Sequence, residues 1–370
     1  MRDPRVDLLA HRIVNISCGI EPGDNVMIES HGDQQDAFIK ALIREIRAAG
    51  GNPFLFMYKM DIRREMILAS TPEQLQLAAE ADAMLMGKMD SYIRCRGEDN
   101  TCELADVPEE KLGNFARYYS AVVNKAKPHQ KTCVMHYPTV AMAQAEHMSM
   151  EELEDKFFQI CTMDYARMER AYGPLKALMD RTDRVHIVGP GTDLTFSIKG
   201  IGSAICAGRR NIPDGECYSA PVRNSVQGHI TYNTTAYFDG RAFNNIRFGF
   251  RDGRIVEATS SDTAGLNGIL DREEGCRYIG EFAIGVNPYI DRPWNDSMFN
   301  EKMTGSIHFT PGQSLSLADN GNRACIHWDI VLAQKAEFGG GEIWFDDVLI
   351  RKDGRFVLPE LEPLNPENRL

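Results

Sequence analysis

No uninterrupted apolar run approaches the ~18 residues that a membrane-spanning helix needs, and mean hydropathy is -0.34, so a soluble chain is expected. Blocks of basic residues are also missing. Lys plus Arg number 41 against 53 Asp plus Glu, a net charge of -12, which makes nucleic acid and anionic membrane poor partners. After Met1-Arg2-Asp3-Pro4-Arg5-Val6-Asp7, the apolar stretch Leu8-Leu9-Ala10 ends at His11 and Arg12. No segment of signal-peptide length follows, and a cytoplasmic protein is expected. Nine cysteines at positions 18, 95, 102, 133, 161, 206, 217, 276 and 325 include no Cys-x-x-Cys pair. An odd count with that spacing predicts neither a disulfide framework nor a thiolate zinc site, leaving reduced cysteines that act as small hydrophobes. The glycine-rich Gly189-Pro190-Gly191-Thr192-Asp193-Leu194 lacks the lysine of a phosphate loop. A strand-like Leu194-Thr195-Phe196-Ser197-Ile198 follows it, so a hairpin turn is predicted instead.

At 370 residues the chain has room for two domains of about 150 residues or more. In its first half, strand and helix patterns alternate. Asn25–Ser30 reads as a strand. Gln34–Ala49 follows with Phe38, Ile39, Leu42, Ile43 and Ile46 at helical spacing, stopped by Gly50-Gly51. Pro53–Tyr58 is predicted as a second strand. Thr71-Pro72-Glu73-Gln74 then supplies a cap, a first-turn proline and a back-bonding glutamine for a short helix. Ala83–Met86 reads as the strand after it, and a helix over Glu109–Lys125 leads into a strand at Lys131–His136. Such β-α repetition predicts a mostly parallel sheet with helices on its faces. Ser149-Met150-Glu151-Glu152 is a capping box opening a long helical stretch, which Gly173-Pro174 is expected to break.

From Arg184 onward the segments are short and alternating. They are separated by the turn dipeptides Asp214-Gly215, Asp239-Gly240, Asp252-Gly253 and Asp353-Gly354. The reading is therefore an α/β domain over 1–180 followed by a β-rich, largely antiparallel domain over 181–370. Metal-binding residue types collect in that second half. In Cys325-Ile326-His327-Trp328-Asp329, an extended segment points His327 and Asp329 to one side and Trp328 to the other. His308 lies in another strand-like run, Thr304–Phe309. Glu216, after Pro213-Asp214-Gly215, and Glu281, after Ile279-Gly280, are acids in turn or apolar surroundings that need a partner if buried. A lone Glu after Gly is most often a solvated turn residue, and a lone strand His a hydrogen-bonded core residue. Two His, two Glu and one Asp together are the donors that suit zinc, manganese, cobalt or iron.

Four ordered segments resemble the motifs of the thermophilic aminopeptidase family of metallopeptidases, the aminopeptidase T and S type. They are Asn211–Glu216, Gly280–Pro288, Asn300–His308 and Ile326–Asp329. The resemblance implies an α/β N-terminal domain, a metal-bearing C-terminal domain and a homodimer acting on small peptides. It makes Glu216, Glu281, His308, His327 and Asp329 ligands of two divalent ions (Zn, Mn or Co), with Glu216 or Glu281 relaying a proton to the leaving amine. One position departs from the family. A catalytic tyrosine is expected seven residues after His308, and here that residue is Leu315, so a phenol that would stabilise the oxyanion is missing. Tyr232, Tyr289 and His229 are alternative sources of a donor. The superfamily resemblance extends to iron(II) ring-opening dioxygenases of the 2,5-dihydroxypyridine type, with two histidines and one carboxylate around a single iron. A glutamate at 281 argues against that set, and the missing tyrosine argues for chemistry other than ordinary peptide cleavage. A third possibility is a metal-binding relative without turnover.

Overall fold

The computed structural model describes residues 2–128 and 130–368. The chain divides into two compact units, Met1–Thr162 with Gly208–Ile212, and Met163–Ala207 with Pro213–Leu370. Among the described residues no helix is long and apolar enough to cross a membrane.

The first unit is built on a wholly parallel sheet. Strands β1 (Asn25–His31), β2 (Asn52–Tyr58), β3 (Ser91–Arg96) and β4 (Lys131–His136) lie in the order β2-β1-β3-β4, and the short strand β8 (Asn211–Ile212) closes the β4 edge. This is the order of doubly wound sheets in which the chain first steps one way and then the other. Helices intervene as the alternating pattern predicts, with Asp36–Ala48 between β1 and β2. The run Ala83–Met86 is not a strand: it completes the helix Pro72–Met86, whose Thr71 hydroxyl accepts from the Gln74 N–H. Four apolar residues are too few to show a period, and the buried positions are Leu75, Ala79 and Met86 while Met84 points to solvent. Ala79 and Met86 pack with Met27, Met89, Tyr92 and Val123, so the strand register begins only at Ser91.

Helix Met150–Cys161 begins at the expected cap, where the Ser149 hydroxyl accepts from the Glu152 N–H. The interruption falls not at Gly173-Pro174 but at Thr162–Asp164. Asp164 caps a new helix, Tyr165–Arg181, that carries Pro174 inside it at the cost of one missing N–H. That helix groups with the second unit.

Among the described residues the second unit has two antiparallel sheets and one ribbon. The larger sheet runs Arg254–Thr259 (β14), Arg247–Arg251 (β13), Gln227–Thr231 (β10), Thr192–Ser197 (β6), Arg184–Gly189 (β5), Glu342–Phe345 (β18), Val348–Lys352 (β19), Arg355–Phe356 (β20). Between β5 and β6, Gly189 pairs with Thr192 across Pro190-Gly191, with Gly191 at φ 64°, the predicted hairpin turn. Ala236–Phe238 (β11) and Arg241–Phe243 (β12) form the ribbon. The smaller sheet runs Val331–Ala333 (β17), Ser306–Pro311 (β16), Ile279–Gly285 (β15), Glu216–Ser219 (β9), Ala204–Cys206 (β7). Strand alternation gives its two faces opposite tasks. Phe282 and Phe309 point back to Phe196 of β6, each ring centroid 5.0 Å away, which joins the two sheets through aromatic packing. Glu281 and His308, one residue earlier on each strand, therefore project from the front.

Candidate metal centre

Register brings the front-face donors together. Glu216 lies opposite Gly285, Ala283 opposite both Tyr218 and His308, and Glu281 opposite Thr310. Glu216, Glu281 and His308 thus share one face of three adjacent strands. The segment Ile326–Ile330 is irregular rather than a strand, tied by a bridge between His327 and Gly312. It still aims His327 and Asp329 the same way, with His327 Nε2 3.4 Å from Asp329 Oδ1. Trp328 turns away, as expected, onto Phe238 and Phe243. All five residues singled out in the sequence converge.

They form two donor sets, Glu216–Glu281–His308 and Glu281–His327–Asp329, each with its ligand atoms within 4.8 Å of one another. Glu281 belongs to both. Its Oε1 is 3.5 Å from His308 Nε2 and its Oε2 3.0 Å from His327 Nε2, while Glu216 Oε2 is 3.5 Å from His308 Nε2. The surroundings orient these groups. His327 Nδ1 lies 2.7 Å from the Gln313 carbonyl; a carbonyl only accepts, so Nδ1 carries a proton and Nε2 is the nitrogen that faces the centre. The Thr310 hydroxyl donates to Asp329 Oδ1 at 2.7 Å.

Burial works against charge on both imidazoles, but the carboxylates outweigh it. Glu216, Glu281 and Asp329 raise His308 to about 9, and Asp329 and Glu281 hold His327 well above the usual histidine range. Asp329 and Glu281 are depressed despite burial, Asp329 chiefly by His327 and Glu281 chiefly by His308. Protons on the two histidines thus balance the carboxylates, a role that divalent cations would take over. The fit is supported by a buried carboxylate oxygen without a hydrogen-bond partner, Glu216 Oε2. An acceptor left bare in a dry site is costly, and a cation satisfies it.

Sequence reasoning gave no role to Lys302, which is 2% exposed. Its Nζ lies 2.6 Å from Glu216 Oε1, 2.9 Å from Glu301 and 3.7 Å from Asp214. Burial opposes its charge, yet Glu216 and Glu301 hold it above the usual lysine range, while burial pushes the Glu301 carboxyl up. Lys302 occupies one oxygen of Glu216 and leaves the other turned to the centre. No sequence signal marked it, because Asp214 and Glu216 reach it from another segment only on folding.

Leu315 packs beside Ala204, Tyr218, Ala283 and Ala318. Of the alternative donors, Tyr232 spends its hydroxyl on the Phe309 carbonyl at 2.8 Å, and His229 belongs to β10 of the larger sheet. Tyr289 lies in the loop after β15, its N–H donating to Asn287. The sequence reading passed over Tyr218. It stands two residues after Glu216, so the strand period alone places its ring on the ligand face, next to Leu315.

The sequence matches the thermophilic metalloprotease family (M29) over residues 2–356. The chain belongs to this family. That membership makes it a metal-dependent hydrolase of the peptidase class and agrees with the fold expected from the four motifs. Aminopeptidase T of Thermus thermophilus is 22% identical, covering 89% of this chain and 92% of its own. The structure of wild-type AmpT from Thermus thermophilus superposes with a TM-score of 0.79 at 20% identity, covering 96% and 99% of the two chains. 2,5-Dihydroxypyridine dioxygenase from Pseudomonas putida KT2440 shares the fold at a TM-score of 0.60 and 12% identity, over 96% and 98%. One fold thus serves two chemistries, and only the donor set can separate them.

Proposed function

We propose that the chain is an aminopeptidase that removes the N-terminal residue of small peptides with two divalent ions, zinc, manganese or cobalt. Glu216, Glu281, His308, His327 and Asp329 would hold the ions. The observation that carries this reading is that Glu281 is common to two donor sets, each with one histidine and two carboxylates. The dioxygenase alternative calls for two histidines and one carboxylate about a single iron, a composition neither set has. Ions bound there supply a low-pKa water and polarise the scissile carbonyl. The protein's own groups do the rest. Lys302 fixes Glu216, Gln313 fixes the tautomer of His327, and Thr310 holds Asp329. Glu216 or Glu281 relays the proton to the leaving amine, and Tyr218 is the candidate for the donor that Leu315 does not provide. A homodimer in the cytoplasm completes the reading.

Manganese tests it best, because oxygen and imidazole donors suit that ion and thiolates do not. Metal-free protein titrated with Mn²⁺ should bind about two equivalents per chain and gain peptide hydrolysis as the second fills. Saturation at about one equivalent, or a purified protein carrying a single iron and consuming oxygen, would overturn the assignment.

A further inference from the structure

A second group of soft and hard donors converges away from the five residues above. Glu273, Cys276 and Cys325 each offer an atom within 4.8 Å of the others, and the two sulfurs stand 3.8 Å apart. Glu273 precedes the 3-10 helix Glu274–Arg277, where three residues per turn bring positions i and i+3 to one side. The turn Glu273–Cys276 is therefore a two-donor clamp, and Cys325 meets it from a segment 49 residues later. That crossing is fixed by the Asn322 side-chain amide, which donates to the Gly275 carbonyl at 2.8 Å and to the Gly312 carbonyl at 2.7 Å. At Gly275 a Cβ would fall 1.8 Å from the Arg323 carbonyl oxygen, so only glycine permits the approach. Cys276 is buried, whereas Cys325 and Glu273 are exposed, which opens the group to solvent on one side.

A tetrahedral zinc ion with Zn–S bonds of ~2.3 Å separates two thiolates by about 3.8 Å. The thiols already have that spacing. We propose that Glu273, Cys276 and Cys325 form a separate site for a thiophilic divalent cation of the zinc class, with its fourth position open to water. Uptake exchanges two thiol protons for one ion, the protons leave to solvent, and no electron is transferred. A disulfide would need the sulfurs at ~2.05 Å and an oxidant. The site shares no donor with the centre on the front face, although Cys325 lies two residues before His327. A search for Cys-x-x-Cys spacing cannot find it.

Cobalt reads the two sites apart, because a thiolate bound to Co²⁺ gives a near-ultraviolet charge-transfer band that imidazole and carboxylate do not. Metal-free whole protein, kept reduced by a phosphine, is titrated with Co²⁺ alongside Cys325→Ser and Cys206→Ser. Cys206 is the control because it lies near Asp214 and Glu216. The expected result is a band in the native chain and in Cys206→Ser, lost in Cys325→Ser together with about one bound equivalent. Absence of the band from the native chain, or its survival in Cys325→Ser, would overturn the site. So would a Cys276–Cys325 disulfide found by mass spectrometry in a chain that binds no extra cobalt once reduced. The Mn²⁺ stoichiometry of the front-face centre stays unchanged in Cys325→Ser either way, so the two readings fail separately.

Discussion

Lys302→Met keeps most of the side chain's volume and removes its charge. In the native chain that charge is 2% exposed and sits 2.6 Å from Glu216 and 3.7 Å from Asp214. Breaking a buried ion pair from one side costs about 3–5 kcal/mol, because the partner charge stays buried without compensation. Glu301 touches the same ammonium at 2.9 Å, so the loss falls on Glu216, Glu301 and Asp214 together. For a unit of roughly 150–250 residues each kcal/mol moves Tm by about 2–4 °C, so the metal-free variant should melt roughly 6–20 °C below wild type. A divalent ion on Glu216 would restore the missing positive charge, and saturating Mn²⁺ should recover most of the difference. Circular dichroism melts of both proteins, with chelator and with Mn²⁺, test the argument. A metal-free variant within about 2 °C of wild type would refute the compensating role of Lys302. Equal losses with and without Mn²⁺ would refute the placement of an ion on Glu216.

Glu281→Ala removes the donor common to both sets, so bound Mn²⁺ should fall from about two equivalents toward none, while Glu216→Ala keeps about one; plasma mass spectrometry on dialysed protein decides, and equal stoichiometries would sink the shared role. If Tyr218 donates to the developing oxyanion, Tyr218→Phe should lower kcat about 10²-fold or more with KM little changed. A loss below about threefold would remove it from the reaction, and Leu315→Tyr should then raise kcat. In the first unit, Glu29 is buried and contacts His31, Arg94 and Lys127, at 2.9, 3.4 and 3.6 Å. Burial opposes its charge, and His31, Lys127 and Arg94 outweigh it, pulling the carboxyl down to about 2. A depressed carboxyl stabilises above its unfolded pKa of about 4.5 and loses that contribution as pH falls toward 2, an amount of about 3 kcal/mol. Glu29→Gln should therefore be less stable than wild type at pH 6 and nearly equal to it near pH 2. A gap that persists in acid would show that charge is not the cause.

Much of the fold and the candidate site could be read from residue order because one regularity, the two-residue period of strands, governs both. From the sequence it paired His327 with Asp329; in the folded sheet it also sets Glu281 against Phe282 and His308 against Phe309, and it would have paired Glu216 with Tyr218 had it been applied there. Where period and length conflicted, tertiary packing decided: Ala83–Met86 stays helical because Ala79 and Met86 reach the core cluster from one helix face. Pro174 shows the converse, since a helix anchored by Tyr165, Met168, Tyr172, Leu175 and Met179 in the interior tolerates one lost bond. Lys302 could not be valued from sequence, because a lysine is normally solvated and its worth here comes from three acids brought around it by folding. The thiol pair escaped for a related reason: 49 residues separate its members, and only the glycine at 275 lets their segments touch.

The strand Asn211–Ile212 has a consequence for how the chain is made. It belongs to the first unit's sheet, although 45 residues of the other unit, Met163–Ala207, are synthesised between it and β4. A ribosome that has released only the first 180 residues has supplied four of the five strands, and the β4 edge has no neighbour on that side. Open parallel edges of this kind recruit other chains. Until residue 212 is made the nascent N-terminal half lacks its fifth strand, and a fragment cut at residue 180 keeps the open β4 edge.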